Sequence, residues 1–146
     1  MKVKIKKLDE HAVIPRYAHD GDAGMDVVAT SVDVTDDYIE YGTGLAFQLP
    51  KGHCMLIFPR SSNSKKDLLL ANSVGILDEI YTGELKLRFK RSYAPTIFGL
   101  SVNKIYDIGD RVGQIMILPY PKIEFEEVQE LSETERGDAG FGSSGK

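Results

Sequence analysis

A chain of 146 residues, 42% hydrophobic and 27% charged, is long enough to bury one core and too short to need a second domain. Its net charge of −4 excludes a nucleic-acid binder that works by bulk positive charge, yet leaves room for a local basic pocket that takes a small anion. No apolar run nears the ~20 residues that cross a bilayer, and MKVKIKKLDE lacks the apolar stretch of a signal peptide. Neither a membrane nor a nucleic acid is therefore expected as a partner. A single cysteine, Cys54, forms no internal disulfide and suits the cytoplasm, that of a host cell if the source is viral.

In chain order, residues 2–8 alternate around Val3 and Ile5 and predict a strand. DAGMD at 22–26 places a carboxylate, Asp26, just after a glycine turn. CMLIF at 54–58 is a second strand, in which Cys54 is expected as a buried structural thiol. It runs into FPRSSNSKKD, where Arg60, Ser61 and Ser62 at a strand end would form an anion clamp, the alternative being a solvated loop. NSVGILDEIYTGE at 72–84 predicts a β-hairpin with Asp78 and Tyr81 near its turn; a carboxylate beside VGIL needs either a partner or a chemical task.

LKLRFK at 85–90 puts Leu85, Leu87 and Phe89 on one face. GDRVGQ opens a strand over 112–118 in which Gln114 can point into a site, or else the stretch is a turn with Arg111 in a structural ion pair. IEFEEV at 123–128 predicts one more strand. Prolines 15, 50, 59, 95, 119 and 121 fall at strand ends or turns, and no long helix or repeat emerges. The expectation is an all-β sandwich, jelly roll or barrel.

From Ser132 onward there is no Ile, Leu, Val or Met, and Phe141 is the only large apolar residue, so this tail is expected to be mobile alone and suited to act as a lid. Its GFGSSGK matches the start of a Walker A loop. Such a loop works between a strand and a helix, and the tail predicts neither. His11, His19 and His53 lie far apart and predict no zinc site, and no GxSxG nucleophile elbow is present.

Taken together and in order, DAGMD, PRSS, NSVGILDEIYTGE, GDRVGQ and RGDAGFGSSG resemble the five motifs of the homotrimeric dUTPases across residues 22–145. The resemblance implies an all-β jelly-roll β-sandwich subunit, barrel-like, over residues 1–131, with a flexible C-terminal arm over 132–146 that closes an active site. It implies a homotrimer whose active sites are shared between subunits. There dUTP is split to dUMP and pyrophosphate with Mg2+ on the triphosphate, which keeps uracil out of DNA and supplies dUMP for dTMP synthesis.

By motif match, Asp78 would activate water for attack on the α-phosphorus, and Tyr81 would press on the deoxyribose and refuse a 2′-hydroxyl. Asn72, Gly75, Ile76 and Leu77 would read uracil beside Lys86, while Arg60, Ser61, Ser62 and Gln114 would hold phosphates. Asp26 would anchor water on the magnesium without being a direct ligand. In the arm, Phe141 would stack on the base while Arg136, Ser143 and Ser144 meet the γ-phosphate, with Gly142 also among the substrate-binding residues. Gly113 stands where the family commonly has alanine, which reads as a mild change. The rival readings are a dCTP deaminase or bifunctional deaminase–dUTPase of the same fold, and a non-catalytic nucleotide-sensing module. Tyr81 and the full tail motif favour the dUTPase over the first, and Asp78 argues against the second.

Overall fold

The computed structural model describes residues 1–92 and 104–139. Among these, nine strands form: β1 (Lys4–Lys7), β2 (Met25–Val28), β3 (Ser31–Val34), β4 (Ile39–Gln48), β5 (His53–Phe58), β6 (Leu68–Leu70), β7 (Gly75–Leu77), β8 (Glu84–Arg91) and β9 (Arg111–Pro119). A 3-10 turn over Ser61–Lys65 is the only helical element described. All pairings are antiparallel, in two sheets ordered β1-β4-β8-β6, with β3 also on β4, and β2-β9-β5-β7.

Period-two alternation sets which side chains go inside. On β8, Leu85, Leu87 and Phe89 are buried between exposed neighbours, as the sequence predicts. They meet Val27, Met55, Ile57, Val112 and Ile115 of the facing sheet in one core. Tyr41, Phe89 and Tyr106 stack edge to face or tilted at 5.7–5.9 Å between ring centres. The Tyr41 hydroxyl is both donor to the Tyr106 carbonyl and acceptor from its N–H, each at 3.1 Å, and burial pushes its pKa up.

Three expectations fail. Residues 123–128 form no strand, and Ile123 and Phe125 are 67% and 92% exposed. Alternation was present there, but no strand among the described residues pairs with the segment. The 72–84 stretch is not a hairpin: β7 pairs with β5 in one sheet and β8 pairs with β4 and β6 in the other, so the chain arches between layers. Cys54 is half-buried, because its strand alternates and Met55 takes the core side.

Candidate active site

The arch starts with a tight turn. Ser73 has φ 59°, and the Val74 N–H donates to the Asn72 carbonyl at 2.5 Å, a three-residue turn whose left-handed centre is strained for a residue with a Cβ. Gly75 follows, and a Cβ there would lie 3.0 Å from Ile57 and 3.3 Å from the Asn72 amide nitrogen. A larger residue at 75 would have to push back the Ile57 side chain or the Asn72 amide by a few tenths of an ångström.

Strand β7 then buries Gly75 and Leu77 and turns Ile76 outward. Asp78 ends the strand, exposed, and its carbonyl accepts the Tyr81 N–H at 3.1 Å. No ion pair engages the Asp78 carboxylate among the described residues, so the partner that its apolar surroundings suggested is not there. The Tyr81 hydroxyl donates to the Glu84 carbonyl at 3.0 Å, and the side chain lies against Gly83, where a Cβ would stand 2.6 Å from the hydroxyl oxygen and 2.7 Å from Cζ. Lys86, on β8, closes the far side. All seven residues singled out from this stretch (Asn72, Gly75, Ile76, Leu77, Asp78, Tyr81 and Lys86) border one recess of about 240 Å³.

A second cluster forms where β2, β9 and the end of β5 meet. The register sets Gln114 opposite both Asp26 and Phe58. Asp26 takes the Arg60 Nε at 2.7 Å on one oxygen and the Arg111 Nη1 at 3.2 Å on the other. Arg60 also donates from Nη1 to Ser62 Oγ at 3.0 Å, and Gln114 donates from Nε2 to the Pro59 carbonyl at 3.0 Å. The Arg60 guanidinium is thus oriented by a carboxylate and a hydroxyl at the strand end where the sequence predicts an anion clamp. Ser61 is exposed at the start of the 3-10 turn.

Asp26 and Gln114 border a recess of about 330 Å³ together with Arg16, Asp22 and Gly24. The sequence reading missed Arg16 and Asp22 here and had Arg111 only as an ion pair of unknown partner. The β2–β9 pairing brings Asp26 to Arg111 and Gln114, while Arg16 and Asp22 come from the irregular segment before β2, and no sequence spacing announces it.

The two recesses share no lining residue. Arg136 reaches neither: it is exposed and donates from Nε to the Ala139 carbonyl at 2.9 Å, within its own turn. Phe141, Gly142, Ser143 and Ser144 lie outside the described residues.

For a metal, no group of three or more His, Cys, Asp or Glu side chains converges among the described residues. Each Asp26 oxygen accepts one guanidinium hydrogen bond and keeps a lone pair, and Asp22 borders the same recess. Such carboxylates fit the water shell of a hydrated Mg2+, which gives up its waters reluctantly.

Comparison with known proteins adds to this geometry. The dUTPase family model matches residues 10–145. A deoxyuridine 5′-triphosphate nucleotidohydrolase of Corynebacterium glutamicum is 38% identical over 149 residues, covering 99% of this chain and 95% of the relative. One from a Hydrogenobaculum species is 38% identical over 150 residues, covering 99% of each. Among solved structures, a dUTPase of Staphylococcus bacteriophage 80alpha with dUPNHPP superposes with a TM-score of 0.81 at 28% identity, covering 99% of both chains. With its two sheets, its arch of recess residues and a match across almost its whole length, the chain belongs to the dUTPase family.

Proposed function

We propose that this protein is a dUTP diphosphatase that hydrolyses dUTP to dUMP and pyrophosphate with Mg2+. One observation carries the reading most: Asp78 is exposed and, among the described residues, unpaired on a recess that also gathers Asn72, Tyr81 and Lys86. A carboxylate in that state can accept a proton from a water molecule. As it does so, the water oxygen bonds to the α-phosphorus, the bond from that phosphorus to the bridging oxygen breaks, and pyrophosphate leaves. Positioning and charge neutralisation carry most of such a reaction, so a carboxylate is base enough.

The backbone of β7 with Asn72 reads the uracil edge. A base with the wrong donor pattern leaves buried groups unpaired and is rejected. Tyr81, fixed by its hydroxyl to Glu84, lies against the deoxyribose. Arg60, oriented by Asp26, offers its remaining N–H groups to phosphate oxygens beside Ser61, Ser62 and Gln114. Magnesium neutralises the triphosphate when bound, and Asp26 holds its water. Residues 132–146 form the arm: Phe141 caps the base while Arg136, Gly142, Ser143 and Ser144 meet the γ-phosphate.

The active form in this reading is a homotrimer with shared sites. Two features support it. The two recesses of one chain share no lining residue, which fits sites completed by a neighbouring subunit. Ile123, Phe125, Val128 and Leu131 are exposed on a strandless segment, and an apolar hollow of about 320 Å³ opens between Val3, Ile5, Met25, Phe47 and Ile117. That segment of a second copy suits this hollow. We place the protein in the cytoplasm, where dUTP is made; no helix among the described residues is long and apolar enough to cross a membrane.

The test is pyrophosphate release measured against each common dNTP and UTP, with and without Mg2+. Release from dUTP that needs Mg2+ is expected. Ammonia from dCTP would instead make it a deaminase, and dUTP binding without pyrophosphate would make it a sensing module.

A further inference from the structure

Glu40 lies outside the five motifs and borders no part of the Asp78 recess. The β4–β8 register sets it opposite Arg88 and sets Gly42 opposite Lys86. With glycine at 42 no side chain faces Lys86 directly, and Lys86 leans diagonally to Glu40. Its Nζ donates to Oε1 at 2.7 Å, while Arg88 Nε donates to Oε2 at 2.6 Å. Both carboxylate oxygens are engaged, and the Glu40 side chain is only 12% exposed. The hydrogen bond to Glu40 raises the Lys86 pKa, and the same bond lowers that of Glu40.

Lys86 is the link to the nucleoside. It borders the Asp78 recess and also an adjoining hollow of about 360 Å³ that includes Asn72, Gly75 and Tyr81 and is walled by Glu40 and Arg88. We propose that Glu40 is a positioning residue for nucleotide recognition, acting through Lys86. It holds the ammonium against the sheet at the rim of the recess. Although shared with Arg88, it offsets the ammonium charge together with Glu84, whose Oε2 lies 3.9 Å from Lys86 Nζ, so that the rim recognises the nucleoside and does not capture the polyphosphate. Without it, a long cationic side chain regains its rotamers beside a polyanionic substrate, which pulls the nucleotide out of register.

This rests on the proposed dUTP hydrolysis. The experiment is a double-mutant cycle on the full-length protein, with kcat and KM for dUTP and the Kd of dUMP by calorimetry. Glu40→Gln should raise KM roughly ten-fold, the scale of one lost charge-assisted hydrogen bond, with kcat changed less than about two-fold because Lys86 meets no reacting atom. Lys86→Met should raise KM by a like factor, and adding Glu40→Gln to it should change nothing further. Arg88→Gln breaks the other half of the same ion pair and serves as the structural control, lowering the thermal midpoint with KM held. An unchanged KM in Glu40→Gln, multiplying effects in the double variant, or an equal KM rise in Arg88→Gln would overturn the proposal. Should the wild type release no pyrophosphate from dUTP, the hydrolase reading fails by itself, and dUMP affinities across the same variants still decide the role of Glu40.

Discussion

The Asp78 recess and the ion-pair cluster around Asp26 are built in opposite ways. Apart from Ile57, every residue that lines the Asp78 recess comes from one run of chain, residues 72–86, folded as an arch between sheets. The Asp26 cluster comes from three separated stretches: its carboxylate is 34 residues from Arg60 and 85 from Arg111. Among the described residues the first leaves its acid unpaired, whereas in the second Asp26, Arg60 and Arg111 are tied to one another. The contrast fits two tasks. A base must be free to take a proton, whereas an anion clamp has to hold its shape before the anion arrives.

The sharpest way to break this contrast is Asp78→Asn. It keeps shape and removes the basic oxygen, so turnover should fall by about 10²–10⁴-fold while dUTP binding, measured by calorimetry, persists. Unchanged turnover would mean that the free carboxylate has no chemical role. Removing residues 136–146 comes next. Loss of base stacking and phosphate contacts is worth about 1–3 kcal/mol for the aromatic alone, so most activity should go while the sedimentation coefficient still reports the intact oligomer. Full activity in the truncated chain would make the arm a bystander.

Asp26→Asn probes the other half. It weakens both arginine contacts at once, and an outer carboxylate of this kind is worth about 10–100-fold in metal affinity or activity. The dependence on Mg2+ should shift to higher concentration, with partial recovery at saturation that Asp78→Asn does not show. Identical Mg2+ curves for the two variants would erase the division between base and clamp. Tyr81→Ala is expected to act on choice more than rate, narrowing the dUTP-over-UTP preference by about ten-fold, the scale of small steric differences in a pocket.

The same contrast explains what was legible in the sequence. The residues singled out over 72–86 do come together at one recess, because neighbours in sequence remain neighbours in the arch. Even so, the strand pairing there was misread: a turn between two apolar runs looks alike whether the strands pair with each other or with distant partners. The ties of Asp26 to Arg60 and Arg111, and of Glu40 to Lys86, depend on which strands lie adjacent, and local patterns carry none of that. Strand β4, the longest at 10 residues, escaped notice. Its Ile39, Tyr41, Leu45 and Phe47 do alternate, but Gly42 and Gly44 read as a loop, and Gly44 adopts φ 62° where the ladder to β8 shifts register. The 123–128 segment shows the converse: alternation without a partner among the described residues leaves Ile123 and Phe125 in the open.

Gly113 ties the two halves together and yields the smallest effect. It lies on β9 between Arg111 and Gln114, faces inward, and sits against Leu87, which lies on β8 between Lys86 and Arg88. From the sequence, alanine here looked nearly equivalent. In the structure a Cβ would stand 2.5 Å from Leu87 Cδ2 and 3.1 Å from the Phe58 carbonyl, and Leu87 is 2% exposed, with little room to withdraw. Gly113→Ala should therefore cost about 1–3 kcal/mol by overpacking, read as a lower denaturation midpoint at fixed protein concentration. Leu87→Val would make space, so the double variant should be more stable than the sum of the single losses. Strict additivity would show that the sheets can slide apart at this contact, and that the strand bearing Arg111 and Gln114 is less rigidly placed against the one bearing Lys86 than the packing indicates.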